Sequence, residues 1–152
     1  MSVRTDTTRS VAHGVFHCAA VTPRRAFDAF ASIEAKNGGF TAPNEKWDVL
    51  ERTMDFQVGS RERLNGQWKT GRVTKFDATY YDLSPGERIV HVYEMRMDGQ
   101  KLSVSLATFE FKQVGAGPKL IMTEQGAFLD GYDNNGSCEG AAVKSLKSSV
   151  RI

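Results

Sequence analysis

The chain has 152 residues, of which 40% are hydrophobic and 25% are charged, and its net charge is +2. This length and composition are typical of one globular domain with its own core. The small net charge argues against a nucleic-acid partner, because such proteins usually carry a large, clustered excess of Lys and Arg. The densest basic residues, Arg61, Arg63, Lys69 and Arg72, are interrupted by Glu62, so we interpret them as a solvated strand face.

Targeting and redox signals are weak throughout the sequence. No apolar run is long enough to span a bilayer, so we expect no membrane partner. The first ten residues are polar and lack the apolar segment of a secretory signal. We therefore predict a disordered leader over residues 1–10, one domain over residues 11–152 and a cytoplasmic location. Cys18 and Cys138 do not form a CxxC pair, which argues against a zinc cluster or a disulfide framework.

The first elements are a strand and a helix. Polar and apolar residues alternate over Ser10–Ala20, which predicts a strand. A helical pattern follows over Pro23–Glu34, with Thr22 as its N-cap and proline at its first position.

From Trp47 onward the apolar period is about two, which predicts a series of strands. These are Trp47–Val58, Arg61–Trp68, Gly71–Leu83, Arg88–Met97, Leu102–Val114 and Lys119–Phe128. Asp98-Gly99 is a strong hairpin signal, whereas Asn65-Gly66 leaves open a turn inside the second of these strands. A last helix is predicted over Ser137–Ile152. The order of elements indicates a curved antiparallel sheet whose apolar face is covered by a helix.

Four motifs occur in an order that resembles one known family. They are PRRAFDAF at Pro23–Phe30, GSR at Gly59–Arg61, FDATYYDLSPGERIV at Phe76–Val90 and TEQGAFLDG at Thr123–Gly131. They resemble the activator of heat-shock-protein-90 ATPase homologue-like family, within the START/SRPBCC superfamily. The resemblance implies an α+β helix-grip fold: a curved antiparallel sheet of six to seven strands around a C-terminal helix, with two short helices after the first strand. It also implies a cavity for a small apolar or amphipathic molecule.

Polar residues in phase with core residues are the candidate catalytic groups. Glu124 shares a strand face with Leu120 and Met122. If that face is concave, burial would raise the pKa of Glu124 and make it an acid or base; the alternative is a strand-end Glu that pairs with Arg or reaches water. His91 and Tyr93 also share a face, where they either orient a ligand or belong to the core.

Metal and cofactor sites are not indicated. His13 and His17 lie about 13 Å apart on an extended strand, which is too far for joint binding of one ion. The sequence has no GxGxxG and no GxxxxGK[ST] motif that would hold a nucleotide phosphate. We therefore predict no metal and no cofactor.

We predict a pocket on the concave face, and its lining is Met54, Phe56, Tyr93, Met95, Phe109, Phe111, Met122 and Glu124. An apolar container without a catalytic constellation favours a non-enzymatic carrier or sensor whose partner is a small apolar molecule. The first alternative is a cyclase-, hydratase- or isomerase-like enzyme that uses Glu124, His91 or Tyr93. The second is a co-chaperone of a heat-shock ATPase, as the family name suggests.

Self-association is a further expectation. The predicted last helix offers only three large apolar anchors, Val143, Leu146 and Val150, to cover the sheet. Apolar surface left over would be buried against a second subunit, and a symmetric dimer is the commonest arrangement. We therefore predict a homodimer, with a ligand or a loop that fills the gap as the alternative.

Overall fold

The computed structural model describes residues 7–17, 22–37, 45–115 and 117–130. In this part of the chain it has seven strands and two short helices. The strands are β1 (Thr7–His17), β2 (Trp47–Met54), β3 (Arg61–Trp68), β4 (Val73–Ser84), β5 (Arg88–Met97), β6 (Gln100–Val114) and β7 (Gly117–Leu129). The helices are α1 (Pro23–Asp28) and α2 (Ile33–Asn37).

All the strands belong to one antiparallel sheet, in the order β1-β7-β6-β5-β4-β3-β2. Although β1 and β2 follow one another in the sequence, they lie at opposite edges. The segment between them, which carries both helices, therefore has to cross one face of the sheet. α1 packs on β6 and β7, and α2 contacts β2.

This arrangement confirms the predicted α+β helix-grip fold, with a strand number inside the predicted range and two short helices after the first strand. The predicted last helix, residues 137–152, lies outside the described residues, as do residues 1–6. None of the helices in the described part is long and apolar enough to cross a membrane.

The helical segment differs from the single helix that periodicity predicted over Pro23–Glu34. Thr22 caps α1 as expected, because its hydroxyl accepts a hydrogen bond from the Arg25 backbone N–H at 3.2 Å. A second cap follows inside the predicted helix, where the Ser32 hydroxyl accepts from the Ala35 N–H at 3.2 Å. This second cap begins α2 and divides the segment in two.

Several strand boundaries also differ from the predicted ones, and the differences in β1 and β2 are the largest. β1 begins at Thr7, so residues 7–10 belong to a strand and not to the predicted leader. β2 ends at Met54, four residues before the predicted end at Val58. The single domain over residues 11–152 stays a prediction.

The Asn65-Gly66 pair does not form a turn, because β3 runs through it without a break. The glycine has a packing role instead. A Cβ atom at Gly66 would lie 2.0 Å from the ring of Trp47 on β2, so only a glycine leaves room for that ring.

We call the sheet face on which α1 packs the inner face. Buried side chains alternate along the strands of this face, and they are Trp47, Glu62, Leu64, Ala78, Tyr80, Ile89, His91, Ser103, Ser105, Ala107, Phe109, Phe111, Leu120, Met122, Glu124 and Phe128. Phe27 of α1 and Phe30, two residues after the end of α1, close one part of it. Their ring centroids lie 5.7 and 5.9 Å from that of Phe111.

A bulge in β2 decides which of its residues face inward. The pairing of β2 with β3 shifts between Val49 and Glu51, which leaves Leu50 as an extra residue. Because successive side chains alternate between faces, one extra residue reverses the alternation. Trp47 before the bulge and Arg52 after it therefore both lie on the inner face.

The outer face is polar around β3 and β4 and more apolar toward β1. Arg61 and Arg63 are exposed there and form ion pairs with Asp77, at 3.4 and 3.5 Å. This agrees with the solvated face inferred from the sequence. Toward the other edge, Val15 and Leu106 are 46% and 39% exposed.

Candidate ligand site on the inner face

A buried carboxylate, Glu62, is the centre of a polar cluster at the β2 side of the inner face. It is only 2% exposed. Lys36 of α2 donates a hydrogen bond to its Oε2 at 2.7 Å, and Arg52 of β2 donates to its Oε1 at 2.7 Å. The hydroxyl of Tyr80 on β4 donates to Oε2 as well. One helix and three strands thus meet at this carboxylate.

The ionisation of the cluster follows from burial and charge. Burial by itself would raise the pKa of Glu62, but the charge and hydrogen bond of Lys36, the hydrogen bond of Tyr80 and the charge of Arg52 outweigh it and lower that pKa to about 2. Burial lowers the pKa of Lys36, against the opposing effect of Glu62. Burial, then the neighbouring carboxylate, raises the pKa of Tyr80.

Arg52 is incompletely paired. Its side chain is 10% exposed, and Nη1 binds Glu62. Its Nε and Nη2 are shielded from solvent and have no hydrogen-bond acceptor among the described residues. Buried N–H groups of a guanidinium normally find acceptors, since leaving them unpaired costs about 1–3 kcal/mol or more each. The site therefore has unused donor capacity.

His91 lies next to this cluster as a buried, neutral side chain. Burial, and then the charge of Lys36, lowers its pKa to about 4, although Glu62 acts in the opposite direction. Aromatic rings surround it, those of Phe76, Tyr80, Tyr93 and Phe109. Its Nδ1 has no hydrogen-bond partner in the described part of the chain. At neutral pH this imidazole is uncharged.

A second polar pair joins β5 to β7. The hydroxyl of Tyr93 donates to Oε1 of Glu124 at 2.6 Å. Glu124 is 9% exposed and lies on the inner face, as the alternation in β7 predicted. Between the two strands, β6 presents only Ser105 and Ala107 at the corresponding register positions. Because these side chains are small, the phenol can reach across β6 to the carboxylate.

The structure brings the three candidate catalytic residues onto one face, but in two environments. Tyr93 and Glu124 form the hydrogen-bonded pair, whereas His91 is enclosed by aromatic rings and stands between that pair and Tyr80. Their catalytic roles stay predictions.

The eight predicted lining residues divide into two groups. Phe109, Phe111 and Met122 are buried in the core that includes α1. Met54, Phe56 and Tyr93 are partly buried and pack against that core, Glu124 is held by Tyr93, and Met95 is half-buried. Binding of a ligand by any of these eight residues stays a prediction.

Sequence reasoning missed Lys36, Arg52, Glu62 and Tyr80 as members of one site. One signal was available, because Glu62 alternates in phase with the apolar Leu64. The inward position of Arg52 could not be predicted from simple alternation, because the bulge in β2 reverses it. Lys36 reaches the cluster only because its helix, α2, lies on the segment that crosses the sheet.

The described residues contain no group of three or more His, Cys, Asp or Glu side chains placed to hold a metal ion.

Comparison with known proteins identifies the family. The family model described as Activator of Hsp90 ATPase homolog 1-like protein matches residues 20–148. The chain belongs to this family. No curated protein matches the sequence.

Several solved structures share the architecture. An uncharacterised protein from Rhizobium leguminosarum is 30% identical, with a TM-score of 0.89 over 97% of this chain and 96% of that one. The protein Mll3558 from Rhizobium loti is 28% identical, with a TM-score of 0.80 over 97% of each chain. A protein from Aeromonas hydrophila described as AHSA1-like is 15% identical, with a TM-score of 0.65 over 93% and 90% of the two chains, and shows the common fold alone.

Proposed function

We propose that this protein binds a small apolar or amphipathic molecule on the inner face of the sheet and acts as a carrier or sensor. The observation that carries the proposal is a half-buried apolar patch next to a polar pair. Phe76 and Met95 are partners across β4 and β5, and the ring of Phe76 lies 5.0 Å from that of Tyr93. The phenol of Tyr93 binds Glu124 at the border of this patch.

Such a patch suits a ligand with an apolar body. Ligand sites are typically lined by aromatic and aliphatic side chains, with a few polar groups that orient the ligand. The thioether of Met95 adapts to irregular shapes, which favours a flexible or aromatic molecule. The family fold supports the same general role.

The neutral fluorescent probe N-phenyl-1-naphthylamine tests this proposal. We expect saturable binding to the purified protein, with the blue-shifted emission of a probe in an apolar site. Met95→Trp should abolish or strongly weaken binding, because the larger ring occupies the patch. Arg96→Trp is the matched control, since the next residue in β5 points to the outer face, and it should bind the probe normally. Equal binding by both variants would place the ligand elsewhere, and no binding by the wild type would contradict the proposed function.

A second candidate function is an enzyme of the cyclase, hydratase or isomerase type. The hydrogen-bonded Tyr93–Glu124 pair beside the neutral His91 favours it, because an acid or base held in an apolar site is the usual equipment for proton transfer. Mass spectrometry of a small-molecule extract incubated with the protein would detect turnover. An enzyme should lose that turnover in Glu124→Gln while the variant still binds the neutral probe. If the wild-type protein leaves the composition of the extract unchanged, the result would favour the carrier or sensor function.

The family description also suggests activation of an Hsp90 ATPase. We rank this function third, because it requires a protein-binding surface and the inner-face cluster does not supply one. Stimulation of a purified Hsp90 ATPase by this protein, measured as phosphate release, would move it to first place. The cytoplasmic location stays part of the proposal.

A further inference from the structure

The carboxylate of Glu62 does not accept from all the N–H donors of Arg52. Lys36 and Arg52 contribute two positive charges, and Glu62 contributes one negative charge. Tyr80 is neutral, since its pKa is raised, and His91 is neutral at ordinary pH. The buried N–H groups of Arg52 that Glu62 does not reach normally need an acceptor of their own, and an anion is the acceptor that best suits a buried cation.

The unused donors show where such a partner would bind. Nε and Nη2 of Arg52 have no acceptor among the described residues, while Nη1 is already taken by Glu62. A guanidinium offers its N–H groups as a planar fork that matches the two oxygens of a carboxylate. Because Glu62 fixes Arg52 through Nη1, the N–H groups on Nε and Nη2 are already oriented for a second acceptor.

The register of the sheet connects this fork to the proposed ligand patch. Arg52 pairs with Leu64, Leu64 pairs with Phe76, and Phe76 pairs with Met95. These residues form one row across four neighbouring strands of the inner face, about 14 Å from end to end at the usual strand spacing. An apolar body over Phe76 and Met95 thus has a cation at one end of its row.

We propose that Arg52, with Lys36 beside it, binds the carboxylate of an apolar ligand whose body lies over Leu64, Phe76 and Met95. This inference rests on the proposed ligand-binding function and specifies its ligand class, an organic acid. Glu62 acts as a positioning residue, because it orients both cations without contacting the ligand. His91 and Tyr93 lie on β5 and Glu124 lies on β7, so these polar groups are at the Met95 end of the row, away from Arg52.

Two matched pairs of acid and alcohol test the proposal by displacement of N-phenyl-1-naphthylamine near neutral pH. They are decanoate with decanol, and 2-naphthoate with 2-naphthalenemethanol. We expect each acid to displace the probe at a concentration about tenfold or more below that of its alcohol, since a charge-assisted hydrogen bond is worth at least that factor. Equal displacement by acid and alcohol in the wild type would overturn the proposal while leaving the proposed function intact.

Variants at Arg52 test whether this residue causes the preference for the acid over the alcohol. Arg52→Met should bring the acid-to-alcohol ratio close to one while the probe still binds, and Arg52→Lys should retain part of the preference. Arg63→Met is the matched control, because this arginine lies on the outer face and pairs with Asp77; it should keep the full preference. An acid preference that persists unchanged in Arg52→Met would contradict the assignment. If Arg52→Met does not fold, the acid-to-alcohol ratios of Arg52→Lys and of the wild type decide whether Arg52 binds the carboxylate. Failure of the wild type to bind the probe or any of the four compounds would contradict both proposals.

Discussion

The imidazole of His91 stacks on the phenol ring of Tyr80, with 5.9 Å between ring centroids and an interplanar angle of 27°. This contact joins the aromatic core to the charged cluster, because the hydroxyl of the same Tyr80 donates to Glu62. The imidazole is thus held neutral between a packed core and a positive charge. Its protonation has a predictable effect on stability.

We predict that the protein loses stability in mildly acidic solution through His91. Its folded-state pKa is about 4, below the ordinary value of 6.5. The unfolded chain therefore binds a proton first, so the contribution of His91 is present above pH 6.5 and is lost as the pH falls from there toward 4. The loss is on the order of 3 kcal/mol.

Urea denaturation at a series of pH values measures this effect. His91→Phe keeps an aromatic ring in the cluster and removes the titration, so its free energy of unfolding should change less over that pH interval. The difference between the two proteins isolates the histidine from other titrating groups. Parallel curves for wild type and variant would show that His91 is accessible to protons in the folded state.

A second prediction concerns the buried carboxylate. Glu62→Gln leaves Lys36 and Arg52 without their counter-ion in the interior, so we expect a loss of about 3–5 kcal/mol in the free energy of unfolding. The double variant Lys36→Met/Glu62→Gln removes one of the two cations. It should therefore be less destabilised than the sum of the single variants, with a coupling of about 1–3 kcal/mol.

Asp77→Asn is the matched control for this cycle. Asp77 also lies between two arginines, but it is on the outer face and its side chain is 33% exposed. Exposed ion pairs are worth at most about 1 kcal/mol, so this variant should be close to wild type. A similar loss in Glu62→Gln and Asp77→Asn would show that burial does not strengthen the inner cluster.

The pH dependence of the same carboxylate lies in a different interval. The pKa of Glu62 is about 2 in the folded protein, below its ordinary value of 4.5. Its stabilising contribution is therefore present above pH 4.5 and is lost as the pH falls from there toward 2. Urea denaturation at a series of pH values below 4.5 should show a further decrease in the free energy of unfolding of the wild type, and Glu62→Gln should lack that decrease.

The outline of the fold could be predicted from the sequence, because it depends on local signals. Strand periodicity, the Thr22 cap and the Asp98-Gly99 turn each act within a few residues, and each appears in the structure as expected. The shared face of Leu120, Met122 and Glu124 also followed from alternation alone, and all three side chains are buried. Such predictions succeed where no irregularity intervenes.

The polar cluster could not be predicted, because it depends on an irregularity and on long-range contacts. A bulge in β2 turns Arg52 inward, and no property of the sequence around Leu50 indicates it. Lys36 meets Glu62 only because the two helices cross the sheet, a relationship between residues 26 positions apart. Sequence reasoning therefore named Tyr93 and Glu124 as candidates and missed the charged cluster around Glu62.

The homodimer stays a prediction, since its motive was the helix over residues 137–152. Sedimentation at micromolar concentration measures it. We expect a species of twice the chain mass of 16.8 kDa, which dissociates on dilution. A single species of chain mass that does not change on concentration would rule the dimer out and favour closure of the sheet by ligand or loop.

The last prediction is that Gly66→Ala destabilises the protein although β3 is a regular strand. A Cβ atom at this position would lie 2.0 Å from Cε2 of Trp47 and 2.1 Å from its Cζ2 and Nε1, so the ring has to move. Because Trp47 is only 9% exposed, its displacement disturbs the packing at the β2 edge. We expect a loss of about 1–3 kcal/mol in the free energy of unfolding, as is usual for overpacking.

Replacement of the ring by a smaller side chain in Trp47→Leu/Gly66→Ala should lower the free energy of unfolding by less than the sum of the losses in the two single variants. Gln67→Ala, at the exposed neighbouring position, is the control and should be near neutral. Urea denaturation of the wild type, the two single variants, the double variant and the control gives the comparison. Additive losses in the double variant would show that Gly66 does not provide space for the Trp47 ring.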